Sequence, residues 1–259
     1  MSKPTIVTVH GAWHSPAHFE PLARILRQHG YTVVSVSLPS VVDRGTTPLE
    51  DPRDDIRAVR DVVVQILDAG DDVVLVPHSY GGIPASSAVR ALDSRSRSAA
   101  GKSTSVIGVA AISAYVAREG DDIATAQDLP SGERAELYAI DGLNNYIQSE
   151  LNPHKLFYAD IPESEAEKWT AMLRPMLRTA LWTNKSEYSA HKDIPIHYLV
   201  CNQDRALPKD TQWLFINKVR QDGGSVRVEE VEASHSPFLS MPDRTSDFIR
   251  RSAGENLPA

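Results

Sequence analysis

Short, almost unbroken apolar runs recur along the chain, each followed by residues at helical spacing, and no other feature limits its fold as strongly. The runs lie in TIVTVHG (residues 5–11), YTVVSVSLP (31–39), DDVVLVPHSYGG (71–82) and STSVIGVAAISA (103–114); IPIHYLVCNQD (194–204) and SVRVEEVEASH (225–235) are two later strand runs. Strands that alternate apolar and polar residues face water on one side; continuous runs are covered on both. Between them come HFEPLARILRQHG, with Phe19, Leu22, Ile25 and Leu26 on one face and Gly30 as its expected C-cap, and PRDDIRAVRDVVVQILDAG, with Ile56, Val59, Val63, Ile66 and Leu67 on one face. GGIPASSAVRALDSRS, PKDTQWLFINKVR and PDRTSDFIRRSAG supply further helices. Such alternation predicts a mostly parallel central sheet flanked by helices, joined by right-handed crossovers.

Two stretches break the rhythm. DSRSRSAAGKSTS (93–105) reads as an exposed, mobile polar connector. Residues 115–192 show no convincing strand and two expected helices: SGERAELYAIDGLNNYIQSEL, capped near Ser131, and PESEAEKWTAMLRPMLRTALW, capped near Ser164 and interrupted at Pro175. The expected organisation is a core of residues 1–114 and 193–259, with 115–192 inserted as a helical cap over the strand ends.

Composition narrows the function classes. With 259 residues, 41% of them hydrophobic, the chain can bury a large core. A net charge of −7 argues against nucleic acid or an anionic membrane as partner, since both demand a basic surface. One cysteine, Cys201, allows no internal disulfide. The first twenty residues carry His10, His14, His18 and Glu20 and no unbroken apolar stretch, so a secretory signal is not expected and the cytoplasm is the expected compartment. The expected state is a monomer or homodimer.

The chemistry gathers at the carboxyl ends of the strands, where open parallel sheets place their ligands. Ser79 follows the third run, Asp204 the fifth and His235 the sixth. A serine hydroxyl becomes a nucleophile only with a base in reach and a carboxylate to orient that base. Ser, Asp and His at successive strand ends, in that chain order, supply all three. A turn serine, a strand-end aspartate or one of nine histidines is individually most often structural; together at one sheet edge the three point to a catalytic triad. HGAWH after the first run brings a tight backbone to the same edge, so the amides of Ala12 and Tyr80 are the expected oxyanion donors. No metal is expected, because His10, His14 and His18 come without an H-E-x-x-H or Cys/His cluster. Pro77 stands where the usual G-x-S-x-G signature has its first glycine.

On these motifs, VTVHGAWHSPAHFEPL, VPHSYGG, AAISAYV, LVCNQDRALP and SHSPFLSMPDRTSDFI, the chain resembles the α/β-hydrolase superfamily, and within it the branch of plant methylesterases and hydroxynitrile lyases. The resemblance implies an α/β-hydrolase fold, Ser79 as nucleophile, His235 as base, Asp204 as orienting acid, and no cofactor. Lyase members carry a threonine where this chain has Gly11 and a lysine where it has Ser236. Without that cation nothing is placed to stabilise departing cyanide, so the reading moves to ester hydrolysis. A small or medium apolar ester or lactone is the expected substrate, with Trp13, His14, Trp182 and Phe238 as expected contacts; Tyr115, Tyr138, Tyr146 and Trp169 are further aromatics of the cap. A non-hydrolytic reaction on the same triad, or a small-molecule binding protein of the same fold, are the alternatives.

Overall fold

The computed structural model describes residues 3–42, 51, 53–129, 140–141, 146–147, 152–176, 180–181 and 185–258. Six strands, β1 (Thr5–Val9), β2 (Val33–Val36), β3 (Val73–Ser79), β4 (Val106–Ala114), β7 (Ile196–Cys201) and β8 (Val226–Val231), form one sheet; β5 (Ile140–Asp141) and β6 (Tyr146–Ile147) pair separately. The six run in the order β2-β1-β3-β4-β7-β8 with every neighbouring pair parallel. β1 is buried throughout and β3 up to its last residue, as their unbroken apolar runs require. β8 lies at the edge and is only partly buried, exposing Arg227 and Glu230.

Helices cover both faces. α1 (Glu20–Gln28) connects β1 to β2, and α2 (Asp54–Asp68) connects β2 to β3. Because those crossovers run in opposite directions along the sheet, right-handedness puts them on opposite faces. α3 (Gly82–Ala88) packs beside α2, and the last helix, Pro242–Ser252, packs beside α1. Gly30 ends α1 at φ +80, its amide bonded to the Arg27 carbonyl, so the expected C-cap is present. The chain passes from β1 outward to β2 and then returns to β3 on the other flank of β1. That reversal opens a crevice at the carboxyl ends of β1 and β3, where ligands bind in sheets of this kind.

Two expectations are corrected. The polar connector is ordered: Asp93 accepts a hydrogen bond from the Ser96 amide at 2.9 Å and caps α4 (Ser94–Ala99), whose Arg97 is buried. Arg97 donates to the Thr104 carbonyl (2.9 Å), to Thr104 Oγ1 (3.2 Å) and to Asp68 (3.1 Å), tying the connector to the end of α2. The helix expected over 131–151 lies mostly outside the described residues, but within it Ile140 pairs with Ile147 and Asp141 with Tyr146, antiparallel. The second expected helix spans Glu163–Ala171 (α6), follows Pro162 rather than Ser164 and stops before Pro175; a short α5 (Pro153–Phe157) precedes it, capped by Asn152. Among the described residues no helix is long and apolar enough to cross a membrane.

Removing the Arg97 side chain leaves the Thr104 carbonyl and hydroxyl without their cationic donor. Arg97→Met is expected to lower unfolding free energy by about 2 kcal/mol. A urea midpoint equal to that of the wild type would contradict this role for the connector.

Candidate active site

Ser79 ends β3 and enters the turn to α3 with φ +52, a left-handed conformation strained for a serine. The turn is tight enough to dictate its neighbours. A Cβ on Gly81 would come within 2.6 Å of the Val9 and His10 carbonyl oxygens, and one on Gly82 within 2.0 Å of the Tyr115 oxygen. Both contacts are with backbone, so no side chain fits at either position. A Cβ on Gly11, in the loop after β1, would lie 2.8 Å from Ser79 Cβ. Gly81 N donates to the His78 carbonyl and Tyr115 N to the Ser79 carbonyl, which fixes the turn to β4.

Ser79 opens onto about 430 Å³ of empty space lined by Ala12, Trp13, Tyr80 and His235, with Tyr115, Ile123, Phe157, Leu181, Ala206 and Leu207 completing the wall. Among the described residues that lining includes no acidic side chain, lysine or arginine. His235, in the loop after β8, is buried, and its Nδ1 pairs with Asp204 Oδ2 at 2.7 Å. The amides of Ala206 and Leu207 donate to Asp204 Oδ1, each at 2.8 Å, and the hydroxyl of Ser113 donates to Oδ2. Every oxygen of this carboxylate is therefore engaged, and the imidazole is left with Nε2 on its other side. Ser79 Oγ and His235 Nε2 are not hydrogen-bonded to each other in this structure; such contacts commonly tighten only when substrate binds.

Four other histidines surround the pair, all buried. His10 lies between the Gly11 carbonyl (2.9 Å) and the Leu38 amide (3.1 Å), and His14 between the Ala12 carbonyl (2.7 Å) and the Tyr158 hydroxyl (2.9 Å). His18 accepts from the Ser15 amide at 3.1 Å and reaches the Trp169 carbonyl at 3.4 Å. His78 donates from Nε2 to the His235 carbonyl at 2.9 Å, its ring 4.5 Å from that of His235. Burial holds all four rings neutral, pushing His10 and His18 down to about 4 and His14 and His78 well below their ordinary value. The His14 and His18 nitrogens thus face carbonyl, hydroxyl and amide partners, and no cluster with metal-ligating composition occurs among the described residues.

The expected substrate contacts divide. Trp13 stands in the cavity wall, while His14 lies behind it, spent on Ala12 and Tyr158. Phe238 is fully buried between Phe19 (4.6 Å between centroids) and His78 (4.9 Å), a support under the site and not part of its wall. Phe238 lies in a short helix, Pro237–Ser240, that packs onto Phe19 and His78, and His14 turns to the Tyr158 hydroxyl. Trp182, Tyr138 and the side chain of Tyr146 lie outside the described residues. Trp169 packs on His18 and Tyr115 joins the wall. The Tyr80 hydroxyl donates to buried Asp55 (2.7 Å), which also takes the Ser40 amide and hydroxyl. Sequence reasoning missed Ser113 and the wall residues Ile123, Phe157, Leu181, Ala206 and Leu207. Only Ser113 carried a signal, as a serine ending the strand between those of Ser79 and Asp204.

A parallel sheet with a strained serine turn, a cavity at its carboxyl edge and a buried His–Asp pair facing the serine defines a hydrolase-type site. The chain belongs to the alpha/beta hydrolase family, whose pattern matches residues 6–248. It is 28% identical over 257 residues to the alpha/beta hydrolase nvfD of Aspergillus novofumigatus (strain IBT 16806), spanning 99% of each chain. It is 27% identical over 256 residues to the probable hydrolase R7 of Phoma sp. (strain ATCC 20986 / MF5453), spanning 98% of this chain and 100% of that one. The crystal structure of polyneuridine aldehyde esterase shares the fold, with a TM-score of 0.72 at 19% identity over 96% of this chain and 99% of that one.

Neutral buried histidines make stability depend on pH in a definite sense. His10 and His18 fall from 6.5 to about 4 on folding, so between those values the unfolded chain binds more protons and stability rises with pH. Their contribution is complete above pH 6.5 and lost as pH falls to about 4; each amounts to roughly 3 kcal/mol. The urea midpoint is expected to drop steeply across that window, and His10→Asn to flatten the drop. A midpoint constant from pH 7 to pH 4 would exclude neutral rings.

Proposed function

We propose that this protein is a serine hydrolase of small or medium apolar carboxylic esters or lactones, with residues 115–192 as a cap over the site. One observation carries the reading: Ser79, strained at the strand-to-helix turn, faces the same cavity as His235, whose other nitrogen is held by Asp204. Two-step acyl transfer follows from it. His235 Nε2 takes the Ser79 proton as Oγ adds to the carbonyl carbon, and the amides of Ala12 and Tyr80 receive the developing oxyanion. Collapse of the adduct expels the alcohol, which leaves with the proton from His235. A water molecule, deprotonated by the same ring, then releases the acid and restores Ser79. Asp204 orients the ring and balances the imidazolium in each half. The steps need no cofactor.

The wall supports the substrate class. Trp13, Tyr115, Ile123, Phe157, Leu181 and Leu207 offer apolar surface suited to a small or medium molecule rather than a polymer. Described wall residues without an acidic side chain, lysine or arginine favour a neutral ester over one bearing a carboxylate or phosphate. The relatives point the same way: nvfD and R7 are named hydrolases, and polyneuridine aldehyde esterase is an esterase on this fold.

Intact mass after fluorophosphonate treatment, with hydrolysis of a chain-length series of neutral nitrophenyl esters, tests the proposal. A single adduct on wild type, none on Ser79→Ala, and loss of turnover by at least about a thousandfold in Ser79→Ala and His235→Ala are expected. A folded wild type that takes no adduct and turns over no ester would sink it.

A further inference from the structure

Ser113 ends β4 with φ +38, an angle at which any residue except glycine is strained, and it is fully buried. Glycine would make this bend freely. What serine adds is a hydroxyl, and that hydroxyl is given to Asp204 Oδ2. The same oxygen pairs with His235 Nδ1 at 2.7 Å. On the far side of the carboxylate, Oδ1 is saturated by the Ala206 and Leu207 amides. Gln212, whose Nε2 lies 3.5 Å from Oδ2, is itself committed to the Cys201 and Leu207 carbonyls at 3.1 and 2.8 Å. Ser113 is thus the side chain that most directly shares the imidazole's oxygen.

We propose that Ser113 is a positioning residue for the acid–base pair: its hydroxyl fixes the Asp204 carboxylate in the plane of the His235 ring and takes up part of the negative charge on the shared oxygen. The inference rests on the reading of Ser79, His235 and Asp204 as the reacting groups. Physically, an oxygen that accepts two hydrogen bonds is a weaker partner to each, because each donor polarises the same lone-pair density. Removing Ser113 concentrates that density on His235, favours its protonated form and raises the pH at which it becomes a base. It also frees the carboxylate to rotate about its terminal torsion, which is soft. The titratable groups facing the pair are His78 and His14, kept neutral by burial, Cys201 and Tyr198 beside Asp204, and Asp160, which binds the Ser234 amide at 2.9 Å. Among the described residues the Ser113 side chain meets these groups only by way of Asp204, so a change on substitution is carried by the carboxylate.

Ser113→Gly and Ser113→Ala separate the hydroxyl from the turn, since glycine relieves the backbone and alanine does not. The measurements are the pH titration of the His235 ring by NMR, urea stability, and kcat and KM for the best neutral ester, each beside wild type and Ser79→Ala. Both variants are expected to raise the His235 midpoint by about half a unit or more. Both should lower kcat by about ten- to a hundredfold with KM within about twofold. Ser113→Gly should be no less stable than Ser113→Ala. A Ser113→Gly protein with the wild-type His235 midpoint and wild-type kcat would overturn the inference and leave Ser113 as a turn residue. Wild-type turnover that survives Ser79→Ala would instead overturn the hydrolase reading, and the His235 midpoint would still decide the role of Ser113.

Discussion

Three strand ends meet at the Ser79 turn with no space between their backbones, and the site is built outward from that crowding. The carbonyls of Val9 and His10 close over Gly81, and the carbonyl of Tyr115 closes over Gly82. The loop after β1 presses Gly11 against Ser79 itself. Each approach replaces side-chain packing with backbone contact, so the reacting edge is held by groups that have no rotamers to explore. Strain at Ser79 persists because β1 on one flank and β4 on the other leave the chain no alternative path. Catalytic geometry of the proposed kind depends on fractions of an ångström, and a sheet edge clamped in this way supplies them before substrate arrives.

Burial keeps His10, His14, His18 and His78 uncharged, and the described residues of the cavity wall include no acidic side chain, lysine or arginine. An imidazolium forming on His235 would be paired directly by Asp204, in a buried setting where such pairing is strong. The neutral histidines have a mechanical use as well. Through Tyr158 and the Trp169 carbonyl, His14 and His18 tie the loop after β1 to α5 and α6, while Asp160 ties the same segment to Ser234 beside His235. Phe157, next to Tyr158, is thereby set against the His235 ring at 5.6 Å.

How legible the molecule was in its sequence varies with the range of the interactions involved. The parallel sheet could be read because burial on both faces leaves a local signature, an unbroken run such as VVLV. The placement of Ser79, Asp204 and His235 at one edge could be read because strand ends are a property of the same local pattern. The cavity wall could not. Phe157, Leu181 and Leu207 reach it from elements whose own sequences fix only short helices and turns, and no periodicity tells which of their faces a distant strand end will meet. His14 and Phe238 are placed by partners distant in sequence, Tyr158 for the one and Phe19 and His78 for the other, which no local pattern shows. Arg97 shows the limit of composition, since a polar stretch became ordered through one buried cation and one capping aspartate.

Pro77 illustrates how a motif and the physical demand behind it can part. The first glycine of the usual signature is there to leave room beside the nucleophile. In this protein Pro77 remains within β3, in register with Val9, and lines a different pocket with Gly82, Ala85 and Tyr115. It is not among the residues lining the cavity that Ser79 and His235 share. The room at Ser79 comes from elsewhere, with Gly11 across the cleft and Gly81 and Gly82 along the chain each meeting an atom that a side chain would displace. A turn of this kind requires close backbone approach from several directions. Which residue supplies each approach is set by the neighbouring strands, so the letter at one position of a motif is weaker evidence than the space around the serine.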